Sequence, residues 1–118
     1  MEQIVKALKS LRAPLSQGEY DLHALVADAL AAAGVEYIHE APLGRGRRID
    51  FLCGAIGIEV KRGRPAPGML KKQLAGYLES DKLTGLILVA ERTASIPNVI
   101  GGKPVKIVSL NRLWGIAL

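Results

Sequence analysis

The chain has 118 residues, enough for one domain with a real core and too few for two. Its 49% hydrophobic and 23% charged residues exclude a disordered chain, and no apolar run approaches the roughly 20 residues of a membrane span. A net charge of +5 points to an anionic partner, while the single cysteine, Cys53, allows no internal disulfide and fits a reducing, cytoplasmic location without membrane contact.

In chain order, residues 2–12 carry Ile4, Leu8 and Leu11 at helical spacing, with charges spread through the segment as in no signal peptide. A stronger helix follows from Ser16 to Gly34, where Leu22, Leu25, Val26, Ala29, Leu30 and Ala33 keep the 3.6-residue period. Ser16 to Glu19 form a capping box at its start, and Gly34 is a C-terminal stop. "VEYIHEAP" predicts a strand closed by Pro42, "LGRGR" a loop, and "RIDFLC" and "AIGIEVK" two more strands. "RGRPAPG" breaks the pattern, and Pro67 opens a helix running to about Lys82. "GLILVA" is wholly apolar, the mark of a strand covered on both faces. "ERTASIPNVIGGK" predicts a loop, "PVKIVS" a last strand and "LNRLWGIAL" a short closing segment. These elements predict an α/β fold with a mixed central sheet flanked by helices, in one domain: a helical extension over 1–14 and a core over 15–118.

Charge is concentrated near the middle. Eight of the sixteen basic residues lie between Arg45 and Lys72, and the only acids there are Asp50 and Glu59. Both fall on the predicted hairpin. A two-residue turn at Gly54-Ala55 pairs Cys53 with Ile56, Leu52 with Gly57, Phe51 with Ile58, Asp50 with Glu59 and Ile49 with Val60. Alternation then puts Ile49, Phe51, Cys53, Ile56, Ile58 and Val60 on one core face. Arg48, Asp50, Leu52, Glu59 and Lys61 take the other. Two carboxylates directly opposite, with Cβ atoms about 5 Å apart, destabilise a sheet unless a positive charge lies between them. A hard divalent cation supplies that charge, and Lys61 emerges beside it to act on water or phosphate. The plainer alternative is an exposed face on which Lys61 neutralises both acids.

Asp50, eight residues, then Glu59-Val60-Lys61 resembles the D…(D/E)-x-K motif of the PD-(D/E)XK nuclease superfamily. The element order resembles that superfamily's restriction-endonuclease-like αβββαβ core from about residue 17 to residue 109; Ile49 stands where the naming proline would be. The resemblance implies a DNA nuclease dependent on Mg²⁺ or Mn²⁺. Asp50, Glu59 and the Val60 carbonyl would hold the metal and Lys61 would assist the attacking water. Glu19 resembles the helical Glu that completes such sites; its alternative role is the capping box, and Glu40 is the competing acid. His23, one turn after Glu19, is a candidate contact to phosphate or water. Gln73 and Tyr77, four apart, resemble the Q-x-x-x-Y element of RecB-type members, implying that Gln73 positions the water and Tyr77 lies near DNA; a surface Gln beside a core-boundary Tyr is the alternative. Gly76 between them implies close packing on the sheet or on substrate. Arg45, Arg47, Arg48, Arg62, Arg64, Lys71 and Lys72 would hold phosphates. A junction-resolvase-like member would act in DNA recombination or repair as a homodimer, with residues 2–12 as a candidate dimer element, whereas a RecB-like member, towards which Gln73 and Tyr77 lean, would act on ends or single strands. The competing class is a nuclease-fold binding or assembly module that no longer cuts.

Overall fold

The computed structural model describes residues 1–12, 21–63 and 66–115. The elements are α1 (Glu2–Lys9), α2 (Leu22–Ala32), β1 (Ile38–Gly44), β2 (Arg47–Cys53), β3 (Ile56–Lys61), α3 (Pro67–Leu78), β4 (Gly85–Ala90), β5 (Val99–Ile100), β6 (Lys103–Ser109) and α4 (Leu110–Leu113). The strands form one mixed six-stranded sheet in the order β1-β2-β3-β4-β6-β5. β2 is antiparallel to both β1 and β3, β3, β4 and β6 run parallel, and β5 returns antiparallel to β6.

Helices cover both faces, and β4 shows why its sequence is apolar throughout. Its Ile87 and Val89 enter the core with α1 and α2, alongside Leu8, Val26 and Leu30. Its Leu86, Leu88 and Ala90 enter the second core with Leu70, Leu74 and Leu78 of α3. Period-two alternation therefore feeds two apolar layers at once. Ile4, Leu8 and Leu11 are buried against α2, so the stripe on residues 2–12 is used inside the molecule and is not presented to a second copy.

Several boundaries differ from those predicted, each for a local reason. α2 begins at Leu22, where the Asp21 carboxylate accepts from the Ala24 N–H at 3.1 Å; the capping box of Ser16 to Glu19 lies outside the described residues. At its other end the Gly34 and Val35 N–H groups return to the carbonyls of Ala31 and Leu30, and Gly34 takes φ +72°, so Val35 belongs to the helix stop rather than to β1. β1 runs through Pro42 because it is an edge strand, where a missing N–H breaks no ladder bond. α3 stops at Leu78 rather than Lys82. The expected loop over 91–103 contains β5, joined to β6 by Gly101-Gly102, both at positive φ as a tight hairpin demands.

The hairpin holds the main correction. Its ladder comprises Cys53 with Ile56, Leu52 with Gly57 and Phe51 with Ile58, and ends there. Asp50–Glu59 and Ile49–Val60 are not ladder pairs. Phe51 lies in the α1/α2 core whereas Ile49, two residues away, lies in the α3 core. The single apolar face predicted for the hairpin is thus broken at Asp50. β1 changes face at the same level: His39 pairs with Phe51 and Ala41 with Ile49, while Glu40 between them takes φ +53°. A non-glycine residue held there costs on the order of 1 kcal/mol and tends to mark a functional position.

Candidate active site

Where the β2–β3 ladder stops, two carboxylates replace it. The Asp50 carboxylate accepts the Val60 N–H at 2.7 Å, and the Asp50 N–H points to Glu59 Oε1 at 3.4 Å. The N–H and C=O of one strand residue point the same way, so the Val60 carbonyl faces this gap as well. The acids are therefore brought together as the spacing predicts, through a break in the pairing rather than through it.

Glu59 sits on the central strand and is only 3% exposed. Tyr77, one face of α3, donates its hydroxyl to Glu59 Oε2 at 2.9 Å, and the Gln73 amide donates to the Tyr77 oxygen at 2.8 Å. Lys61 Nζ stands 3.4 Å from the same Oε2. Burial first, and then the Asp50 charge, push the Glu59 carboxyl up from 4.5 to about 7. Burial and the Glu59 charge push the Tyr77 phenol upward, which keeps it a hydrogen-bond donor at neutral pH. Among the described residues no three His, Cys, Asp or Glu side chains are grouped to hold a metal. Two carboxylates, one carbonyl and an adjacent ammonium do converge. Oxygen donors of this kind suit a hard cation that keeps several waters.

His23 approaches from the other side of the sheet. Its Nε2 lies 3.9 Å from Asp50 Oδ2, and its Nδ1 lies 3.1 Å from Nε2 of His39. His39 stacks on Phe51 with ring centroids 4.7 Å apart. His39, unlike His23, carries no motif that singles it out in the sequence. The available signal was the pairing of "YIHEA" with "IDFLC", which sets His39 beside Phe51, one residue from Asp50.

The remaining candidates divide. Glu40 is exposed on the edge strand and pairs with Arg48 at 3.8 Å, so it does not join the two acids. Glu19 and Arg64 lie outside the described residues. Acids from beyond the cationic interval partner its arginines: Glu79 lies 4.0 Å from Arg45 and 3.5 Å from Arg47, and Glu91 lies 3.4 Å from Arg62. These pairs are exposed at the arginine and weak, so a phosphate competes with them readily. Lys71 and Lys72 are exposed on α3. Tyr77 is buried, and Gly76 makes room for the Arg47 side chain, whose Nε stands 2.8 Å from where a Cβ would be. Arg47, Arg48, Lys72, Gln73 and Tyr77 line a groove of about 620 Å³. Among the described residues no helix is long and apolar enough to cross a membrane. Compared with known proteins, the chain matches no family model, no curated protein and no solved structure, so its own side chains carry the functional reading.

Proposed function

We propose that the protein is a Mg²⁺- or Mn²⁺-dependent nuclease that hydrolyses phosphodiester bonds in DNA. The observation that carries this reading is the buried Glu59 carboxylate set against Asp50 with Lys61 at 3.4 Å, an arrangement costly to a sheet unless a cation is to be held. The order α2-β1-β2-β3-α3-β4, with both acids on the β2–β3 hairpin, supports a restriction-endonuclease-like core of the PD-(D/E)XK type.

Asp50, Glu59 and the Val60 carbonyl would hold the cation, with Glu19 as the further ligand that the resemblance implies. The cation would supply Lewis-acid activation of the phosphate and of water. Lys61, as an ammonium, donates hydrogen bonds; it orients the attacking water and offsets charge growing on the phosphoryl oxygens. The oxygen of that water bonds to phosphorus as one of its protons leaves to solvent, and the P–O bond to the leaving strand breaks while that strand's oxygen takes up a proton from solvent. Gln73 acts one step away from the chemistry: it fixes the Tyr77 hydroxyl, which in turn fixes one oxygen of Glu59. His23 reaches Asp50 from the opposite side, where it would steady that carboxylate.

A nuclease-fold binding module is the second reading, favoured by the fact that Tyr77 and Lys61 already satisfy Glu59 without a metal. The test is incubation with supercoiled, linear, single-stranded and four-way-junction DNA in Mg²⁺ or Mn²⁺. Cleavage that Asp50→Ala and Lys61→Ala each abolish, in folded variants, is the expected result. Full activity in either variant rejects the assignment, and tight binding without cleavage under any divalent ion favours the module. Cutting confined to four-way junctions by a homodimer would identify the resolvase-like form.

A further inference from the structure

Strand β6 is longer than the strand that covers it. β5 pairs Val99 with Pro104 and Ile100 with Lys103, whereas β6 continues to Ser109. On the inner side β4 accompanies β6 from Val105 to Ser109. On the outer side the Val105 N–H reaches the Asn98 carbonyl at 2.9 Å, and no backbone bond follows it among the described residues. The N–H and C=O of one strand residue share a direction that reverses at the next residue. Ile107 therefore presents both groups outward, as Val105 does, with no backbone partner among the described residues. An edge left in this way is a template for a further strand.

That edge opens on a groove. Met1 and the α1 residues Val5, Lys6 and Lys9 stand across about 470 Å³ from Lys106 and Ile107. Met1, Val5 and Ile107 are partly buried and make its apolar part. Lys6, Lys9 and Lys106 are exposed, and none has an acid within ion-pair distance among the described residues. Glu2 is the only acid in the lining. An open strand edge flanked by apolar side chains takes an extended peptide by strand addition, with main-chain hydrogen bonds giving affinity and side chains giving choice.

Charge narrows the choice of occupant. A second copy of this chain would bring its own lysines against these, and like charges facing one another destabilise a sheet. Nucleic acid would use the lysines, but phosphate brings only acceptors and leaves the outward Ile107 carbonyl and the apolar part unanswered. A peptide with carboxylates and apolar side chains answers all three groups. We infer that the groove between α1 and β6 docks an extended acidic peptide of a partner protein as a further strand. Its backbone bonds Ile107, its apolar side chains lie against Met1 and Val5, and its carboxylates meet Lys6, Lys9 and Lys106. The acidic pair at the hairpin takes no part in this docking, so the two stand or fall separately.

Amide hydrogen exchange on the full chain tests the edge first. In the free protein Ile107 should exchange about tenfold or more faster than Lys106 and Val108, whose amides face β4. A peptide of about ten residues, built from glutamate, valine and leucine, should slow Ile107 on addition. The same peptide, labelled for fluorescence anisotropy, should lose about tenfold or more in affinity for the Lys6→Glu, Lys106→Glu double variant. A counterpart with lysine in place of glutamate should bind that variant better than it binds the natural chain. Methylation of alternate peptide nitrogens keeps the carboxylates, removes the donors, and should abolish binding. Slow exchange of Ile107 in the free chain overturns the inference, as does undiminished binding of the methylated peptide. Failure of the glutamate peptide to bind leaves the lysines as mere guards of the edge and overturns it too. A DNA duplex that displaces the peptide, and loses the same affinity in the double variant, assigns the lysines to phosphate and has the same effect.

Discussion

A carboxyl group at 3% exposure with a neighbour of the same sign is the least comfortable residue in the molecule, and its discomfort is measurable. Burial, and then the Asp50 charge, hold the Glu59 carboxyl of the folded chain at about 7, against its ordinary 4.5. Between those values the folded state keeps a proton that the unfolded state has released, so stability falls as pH rises from 4.5 to about 7 and then levels off. The full difference is on the order of 3 kcal/mol. Denaturant unfolding in EDTA at pH 5 and pH 8 should therefore show a loss at the higher pH that Glu59→Gln removes. Addition of Mg²⁺ at pH 8 should stabilise the natural protein and leave Glu59→Gln unmoved. A variant with the same pH slope as its parent would place the strain elsewhere. The proximity of Asp50 and Glu59 was legible in the sequence because hairpin register is fixed by the turn at Gly54-Ala55. That Asp50 captures the Val60 N–H, and that His39 enters through His23, was not legible: both depend on where the ladder fails.

At the scale of the element, the break at Asp50 explains a glycine. Once Ile49 has crossed to the α3 layer, its Cδ1 lies over Gly57, 2.7 Å from where a Cβ would stand, with Leu83 at 3.1 Å. Gly57→Ala should therefore destabilise by about 1–3 kcal/mol through overpacking. Ile49→Val in the same chain should recover part of that loss, since it removes the methyl group in the way. A double-mutant cycle by chemical denaturation reads the coupling, and strictly additive effects would mean that Ile49 and Gly57 do not meet. The apolar runs of β2, β3 and β4 and the periodic stripe of α2 were plain in the sequence because each is long enough to show its period. β5 has two residues and shows none. The path of β1 through Pro42 becomes intelligible only from strand order, which no local pattern contains.

For the whole molecule, the sheet with a helical layer on each side follows from apolar residues on both faces of the central strands. The charge distribution along the chain was less informative than it looked. Glu40, Glu79 and Glu91 come from outside the basic interval and answer its arginines, so sequence clustering overstated the bare positive field. The place of α1 was misjudged for a similar reason, because an amphipathic stripe says that something covers it and not what. Leu8 is fully buried, and Leu8→Ala should cost about 2–5 kcal/mol in a single unfolding transition whose midpoint does not change with protein concentration. A concentration-dependent midpoint would show that the stripe is shared between copies instead.

The indole N–H of Trp114, just past α4, reaches the carbonyl of Leu11 at 3.0 Å. It is the chain's only tryptophan. Intrinsic fluorescence is consequently a local gauge: its emission reports how the end of the chain's first helical segment is seated against the shared core, and a shift on loosening α1 can be read without any added label.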